Sequence, residues 1–331
     1  MQPVCVILLS VHVAVNRVGS SVCAAGRYTG ALHREWEAEE MGQRERSRLR
    51  VWNIAGPMLL YFMIHDMTIY LCQSISGGSA GEQLWVSGLG SAIAAVPLGI
   101  WYRRLRQESR IAGMMDAGTA GAGMRDARAE AAGMRTAGAE AAGMRPAGAE
   151  AAGLQAADVS RIGLLAVGSC VLFNNLIGVL DQVTEGFERT GQLLGEASLT
   201  VQVLCIGLII PLAEELVFRG FLYGQLRRVR SPGAAALVSA VCFGIYHGNL
   251  AQGIYAACLG LILAVLYEHY DSLAAVWLYH GAANLTSVFL TATGFWMFQQ
   301  KDRLRMTVVT IIGGILMAGS AYKIKKGKKT T

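Results

Sequence analysis

The amino-acid sequence predicts an all-α, polytopic helical membrane protein with about eight transmembrane helices. Three observations predict it. Apolar residues make up 53% of the chain and charged residues only 16%, against about 25% charged in an ordinary soluble domain. The deficit is concentrated in uncharged runs, most of them near the ~20 residues that a helix needs to cross a ~30 Å hydrocarbon core. Arginines and lysines collect at the ends of those runs, where topology signals belong. That placement also argues against nucleic acid as a partner, because the net charge of +6 is not gathered into a basic, aromatic-interleaved patch.

Residues 1–50 form an uninterpreted N-terminal segment. Val4 to Val15 is apolar, but no Lys or Arg precedes it and it is too short to span a membrane. Charge is dense from His33 to Arg50, and Met41 is an alternative start. Two apolar runs follow, 51–73 and 84–102. Arg46, Arg48 and Arg50 precede the first, and Arg103, Arg104, Arg106 and Arg110 follow the second, so both flanks are expected in the cytoplasm.

Residues 103–161 read as a cytoplasmic linker built around a low-complexity insert, 112–153. Decapeptides AGMRDARAEA, AGMRTAGAEA and AGMRPAGAEA start at Ala122, Ala132 and Ala142. Alanine favours helix, but each unit carries Gly and one carries Pro146. Arg125 and Glu130 fall five apart and miss the favourable i,i+4 pairing. The expectation is a disordered or fraying segment without chemistry.

The apolar runs resume at 162–180, 199–226, 233–247, 250–267, 272–297 and 307–322, a six-helix core over 162–322. The runs 233–247 and 250–267 are short, so one of them is a candidate for a tilted or incomplete crossing. The loop 181–197 is acidic and suits the outside. Arg227, Arg228 and Arg230, and the basic tail 323–331, suit the inside, which places both termini in the cytoplasm. Lys301, Arg303 and Arg305 disagree with that topology. The seven cysteines (Cys5, Cys23, Cys72, Cys170, Cys205, Cys242 and Cys258) show no metal or disulfide spacing and read as small hydrophobes.

Ionisable groups deep in membrane helices are costly and point to function. Here they recur in a pattern. The fourth run contains PLAEELVFRG, with Glu214, Glu215 and Arg219. The fifth ends in FGIYHGN, with Phe243 and His247, and the seventh contains YHGAAN, with His280 and Asn284. A spacing of four puts two side chains on one helix face. Glu215 and Arg219 can therefore pair along their helix, while Glu214, rotated by about 100°, faces another neighbour. A carboxylate and a His can hold a water and take its proton. A His and an Asn can donate to the oxyanion of a tetrahedral intermediate. The set suits peptide hydrolysis without a Ser or Cys nucleophile.

These three segments, E-E-x-x-x-R, F-x-x-x-H and H-x-x-x-N in this order on membrane helices, resemble the motifs of the CAAX-protease and bacteriocin-processing (CPBP) family of intramembrane endopeptidases. The resemblance covers roughly 199–290 closely. It implies Glu214 as the water-activating carboxylate with His247 beside it, His280 and Asn284 as oxyanion stabilisers, and Glu215, Arg219 and Phe243 in support. It also brings in bacteriocin immunity as a role of some members. A zinc ion held by Glu214, His247 and His280 with an open position is a second option. The H-E-x-x-H signature is absent, and the glutamate-and-water reading requires no cofactor. The implied partners are membrane lipids and a membrane-associated peptide or protein substrate, and the implied location is a bacterial plasma membrane.

Other polar residues read more plainly. His65 and Asp66, and Asn174 and Asn175, fit interhelical contacts or the lining of an aqueous path equally well. Glu268, His269 and Asp271 read as a short polar loop. Gly253 and Gly260 with nearby alanines read as close helix packing, and Trp277, Tyr279 and Trp296 as packing or interface aromatics. The competing readings are a peptide-sequestering immunity protein on the same fold, and a transporter or proton relay. The clustering of the ionisable groups on three helices argues against the relay.

Overall fold

The computed structural model describes residues 30–76, 80–120, 154–181 and 196–327. The described residues are helical, without strands. The chain runs α1 (Gly30–Ser76), α2 (Ala80–Ala120), α3 (Ala156–Asp181), α4 (Leu199–Leu226), α5 (Pro232–Tyr246), α6 (Leu250–Tyr270), α7 (Leu273–Ala292), α8 (Phe295–Gln300) and α9 (Arg303–Gly327). All eight apolar runs fall in helices. Among the described residues, seven helices are long and apolar enough to cross a membrane, and the chain is an integral membrane protein.

Beside these seven, the described residues hold one shorter apolar helix. Helix α5 has 15 residues, which at 1.5 Å per residue is about 22 Å, short of a ~30 Å core. It is one of the two short runs that the sequence marks as candidates for a tilted or incomplete crossing. The 272–297 run is also divided: α7 stops at Ala292, and Gly294, at φ +69°, turns the chain into the short α8. Of the insert, residues 112–120 continue α2, while 121–153 lie outside the described residues, as do the loop residues 182–195 and the end of the basic tail.

Helix starts follow from local chemistry. The Ser231 side chain accepts the Ala234 N–H just ahead of Pro232, Asn249 caps α6 through the Gln252 N–H, and Ser272 caps α7 through the Ala275 N–H. Each supplies an acceptor for a donor that the first turn leaves free. Pro57 and Pro97 sit inside α1 and α2, as membrane helices tolerate when neighbours satisfy the freed groups.

Helix α4 is the centre of the bundle. Of its most apolar stretch 56% is buried, against 11% for α9. Small residues bring the neighbouring backbones close. A Cβ on Gly281 would stand 2.5 Å from the Gly207 carbonyl, and one on Gly244 would stand 2.6 Å from the Gly253 carbonyl. Only glycine allows α7 to lie so close to α4, and α5 to α6. Gly253 and Gly260 do serve close packing, against Gly244 and Ala240.

Helix α4 is not uniformly α-helical. Val203–Ile209 and Leu216–Tyr223 are π-helical, and the α-helical Ile210–Glu215 between them carries both glutamates. Pro211 bears on the first stretch. In an i to i−5 ladder the N–H of residue 211 would bond the Ile206 carbonyl, and proline has none.

Candidate active site

Glu214, Glu215 and Arg219 are all buried within α4, at 5%, 0% and 0% exposure. Such groups persist in a low-dielectric interior only when paired and hydrogen-bonded. Arg219 Nη1 donates to Glu215 Oε1 at 3.0 Å, and Nη2 donates to the Gly260 carbonyl at 3.3 Å. Its guanidinium carbon lies 4.5 Å from the centroid of Phe243, a cation–π contact. The expected i,i+4 clamp is present.

Glu215 does more than clamp Arg219. Its Oε1 also lies 2.7 Å from His280 Nδ1. A carboxylate oxygen that already takes an Arg donor acts as acceptor, so Nδ1 carries the proton in that bond. The opposite nitrogen, Nε2, stands 3.7 Å from Glu214 Oε2. His280 therefore bridges the adjacent glutamates of α4. Two carboxylates face each other through one imidazole ring.

His247 ends α5, half-buried, just before Gly248 at φ +77°. Its Nδ1 donates to the Phe243 carbonyl at 2.8 Å. A carbonyl only accepts, so in the neutral ring Nε2 keeps its lone pair and can act as a base. Phe243 packs edge-on against both histidines, 4.8 Å from the His247 ring centroid and 5.6 Å from that of His280. His247 makes no ion pair with Glu214 among the described residues.

Asn284 lies one turn along α7 from His280. Its Nδ2 donates to the Ile206 carbonyl at 2.9 Å, the acceptor that Pro211 leaves without a ladder partner. Trp277, on the same helix, donates from Nε1 to the Leu208 carbonyl at 2.9 Å. Both side chains staple α7 to the first π-helical stretch, and Trp277 is thereby more than an interface aromatic. One Asn284 N–H is engaged in this way, and the amide has a second.

Sequence reasoning missed a row of hydroxyls beside Glu214. Tyr61 of α1 is fully buried, with its hydroxyl 3.4 Å from Ser91 Oγ of α2 and 3.2 Å from the Tyr246 hydroxyl of α5. Glu214 is close enough to act electrostatically on both phenols. Tyr61 also stacks on His65, whose Nε2 lies 3.0 Å from Ser87 Oγ and whose Nδ1 lies 3.2 Å from Asp66. His65 thus makes the interhelical contact, α1 to α2. Asn175 likewise donates to Thr310 of α9 at 2.9 Å and pairs with Gln299 of α8, while Asn174 bonds back to the Cys170 carbonyl. An intramembrane Tyr pair that joins an apolar run to the residue before a motif His has no periodic signature, so nothing in spacing alone identifies it.

The zinc option fits this geometry poorly. His280 Nε2 and Glu214 Oε2 converge, but no group of three His, Cys, Asp or Glu side chains among the described residues is placed to hold a metal ion.

The motif region also carries the likeness to known proteins. The family described as type II CAAX prenyl endopeptidase Rce1-like matches residues 196–286, the stretch from the start of α4 through Asn284. The UPF0177 protein YxdF of Lactococcus lactis subsp. lactis is 27% identical over 94 residues, 28% of this chain and 51% of YxdF. The "Putative membrane peptidase YdiL" of Bacillus subtilis is 24% identical over 117 residues, 35% of this chain and 47% of YdiL. The chain thus spans about half the length of the curated relatives it matches. No solved structure matches it significantly.

Proposed function

We propose, from the similarity of residues 196–286 to the Rce1-like endopeptidases, that this protein is an intramembrane endopeptidase hydrolysing a membrane-associated peptide or protein. The observation that carries the reading is the bridge from His280 to both glutamates, with Nε2 3.7 Å from Glu214. It puts a carboxylate and a potential hydrogen-bond donor on one small volume inside the bundle.

In this mechanism Glu214 and the Nε2 lone pair of His247 hold a water. The water attacks the scissile carbonyl and its proton passes to Glu214. The oxyanion meets the remaining N–H of Asn284 and, when His280 Nε2 carries a proton, that N–H as well. Collapse breaks the C–N bond, and Glu214 returns the proton to the leaving amine. Glu215 and Arg219 act through His280 and α4 and do not touch the substrate. No cofactor is required. The arginine-rich ends of α2 and α4 face the cytoplasm in this reading, with both termini on that side of a bacterial plasma membrane.

Glu214→Gln tests the proposal, since it keeps the shape and removes the base. It abolishes cleavage of a membrane-presented peptide library and leaves accumulation and peptide binding intact. If the wild type binds those peptides but cuts none, and Glu214→Gln binds them equally, the peptidase reading fails and a sequestering immunity protein replaces it.

A further inference from the structure

A second group of side chains, outside the glutamate–histidine cluster, pairs a nucleophile with a base where α1 meets α2. His65 Nδ1 lies 3.2 Å from Asp66 Oδ1, and His65 Nε2 lies 3.0 Å from Ser87 Oγ. An ionised carboxylate only accepts, so Nδ1 carries the proton, and in the neutral ring Nε2 is left as acceptor for the Ser87 hydroxyl. A serine whose proton is held by an imidazole, itself oriented by a carboxylate, is the arrangement that activates a hydroxyl for attack on a carbonyl.

The behaviour of the serine separates this group from ordinary helix packing. Helical serines commonly return the hydroxyl to the carbonyl four residues back, as Ser74, Ser109 and Ser169 do at 2.7, 2.8 and 2.8 Å. Ser87 instead gives its hydroxyl to His65. The imidazole is held from other sides as well. Tyr61 stacks on it, with centroids 5.4 Å apart and planes at 23°. Gly90 brings α2 up to the α1 backbone at this level: a Cβ there would stand 3.1 Å from His65 Cα and 3.2 Å from the His65 carbonyl oxygen. A base fixed in this way has little orientation left to find during a reaction. Ser87 itself is half-buried, at the edge of the contact. Depth then points to the substrate. Ser87 is six residues inside the Gly81 end of its span, about 9 Å along α2. His65 is ten residues inside the Ile75 end of its own, about 15 Å along α1. A bilayer of about 40–45 Å around a core of about 30 Å has roughly 5–8 Å of headgroup on each side. The hydroxyl therefore lies just below the headgroups, where acyl chains join their ester carbonyls.

We infer that Ser87, with His65 as its base and Asp66 as the positioning carboxylate, is an activated nucleophile that takes the acyl group of a membrane-lipid ester. Ser87 Oγ attacks the ester carbonyl as its proton passes to His65 Nε2. The ester C–O bond breaks and that proton goes to the departing alcohol oxygen, which leaves O-acyl-Ser87 and a lysolipid. Water, deprotonated by the same histidine, then attacks the acyl carbonyl, releases a fatty acid and returns the serine. This chemistry uses neither Glu214 nor His280, so it is independent of the peptidase reading.

An alkyl fluorophosphonate probe on the full chain in neutral detergent tests this, with the adduct mapped by peptide mass spectrometry. The wild type should carry the adduct on Ser87, and Ser87→Ala should lose it. Asp66→Asn keeps the shape but frees the ring to take the other tautomer, and it should slow labelling on the order of 10²–10⁴-fold with the thermal midpoint unchanged. Glu214→Gln should label Ser87 as fast as the wild type does, which keeps this centre apart from the peptidase site. Reconstituted in phosphatidylcholine vesicles, the wild type should release lysophosphatidylcholine and fatty acid, and Ser87→Ala should release neither above background. The absence of a Ser87 adduct on folded wild type overturns the proposal, as does an undiminished labelling rate in Asp66→Asn. Labelling at Ser87 without lysolipid release overturns the lipid-ester substrate. Because the adduct is mapped on the wild type, the outcome is decided even where a variant fails to fold.

Discussion

His280 Nδ1 and Arg219 Nη1 share a single oxygen, Oε1 of Glu215, at 2.7 and 3.0 Å. One buried carboxylate therefore fixes both the α4 clamp and the orientation of a histidine on α7. The residue that spacing assigned to structure alone is also the one that sets which nitrogen of His280 faces Glu214.

Loss of either charged member should expose this coupling. Arg219→Ala strands Glu215 in the core, and breaking such a pair costs about 3–5 kcal/mol, so the variant should accumulate poorly and unfold at lower temperature. Glu215→Gln keeps the volume but weakens the hold on His280, and it should lower turnover as well as stability. Normal accumulation with lost cleavage in Arg219→Ala would move Arg219 into the chemistry.

Asn284→Ala should act twice. It removes an oxyanion donor, expected to cost roughly 10²–10³ in turnover. It also leaves the Ile206 carbonyl without a donor, at about 1–3 kcal/mol, so the thermal midpoint should fall in the absence of any substrate. His280→Ala should show the loss of turnover too. An Asn284→Ala protein with unchanged thermal midpoint would mean that the staple to α4 contributes nothing.

Metal dependence is read by a strong chelator on purified protein. Full retained cleavage is expected, since no three His, Cys, Asp or Glu side chains among the described residues are placed to hold a metal ion. Inactivation reversed by added zinc would require His247 to swing into a ligand set.

The repeat insert should be dispensable and cytoplasmic. A reporter fused near residue 130 should report the arginine-rich side, and removal of 112–153 should leave cleavage largely intact, because the crossing part of α2 ends at Ser109. An external signal would invert α1 and α2.

The helices and the ionisable residues of the motifs were legible because both are local signals. Uncharged length sets a membrane helix, and a spacing of four sets a shared face, as with Glu215 and Arg219. What stayed hidden is non-local. Arg106 and Asp271 are 165 residues apart, as are Tyr102 and Tyr267, whose hydroxyls meet at 2.9 Å. Tyr61 joins Tyr246 across 185 residues. No periodicity announces such partners. The choice of Glu215 over Glu214 as the carboxylate on His280 Nδ1 depends on the close approach of Gly281 to Gly207, a matter of helix packing.

The two π-helical stretches carry a consequence for how this chain can vary. Each residue turns a helix by about 100°, so the bearing of Glu214 and Glu215 is set by how many residues precede and follow them as much as by what those residues are. Deleting one position between Val203 and Ile209 would leave a membrane helix of nearly unchanged length and hydropathy. It would also swing both glutamates away from His280 and slide the Ile206 carbonyl out of reach of Asn284. Substitution in this stretch is graded by side chain, whereas a one-codon insertion or deletion is close to all-or-none. Natural variants of the protein are therefore expected to differ in residue identity across 203–223 but to keep its length constant.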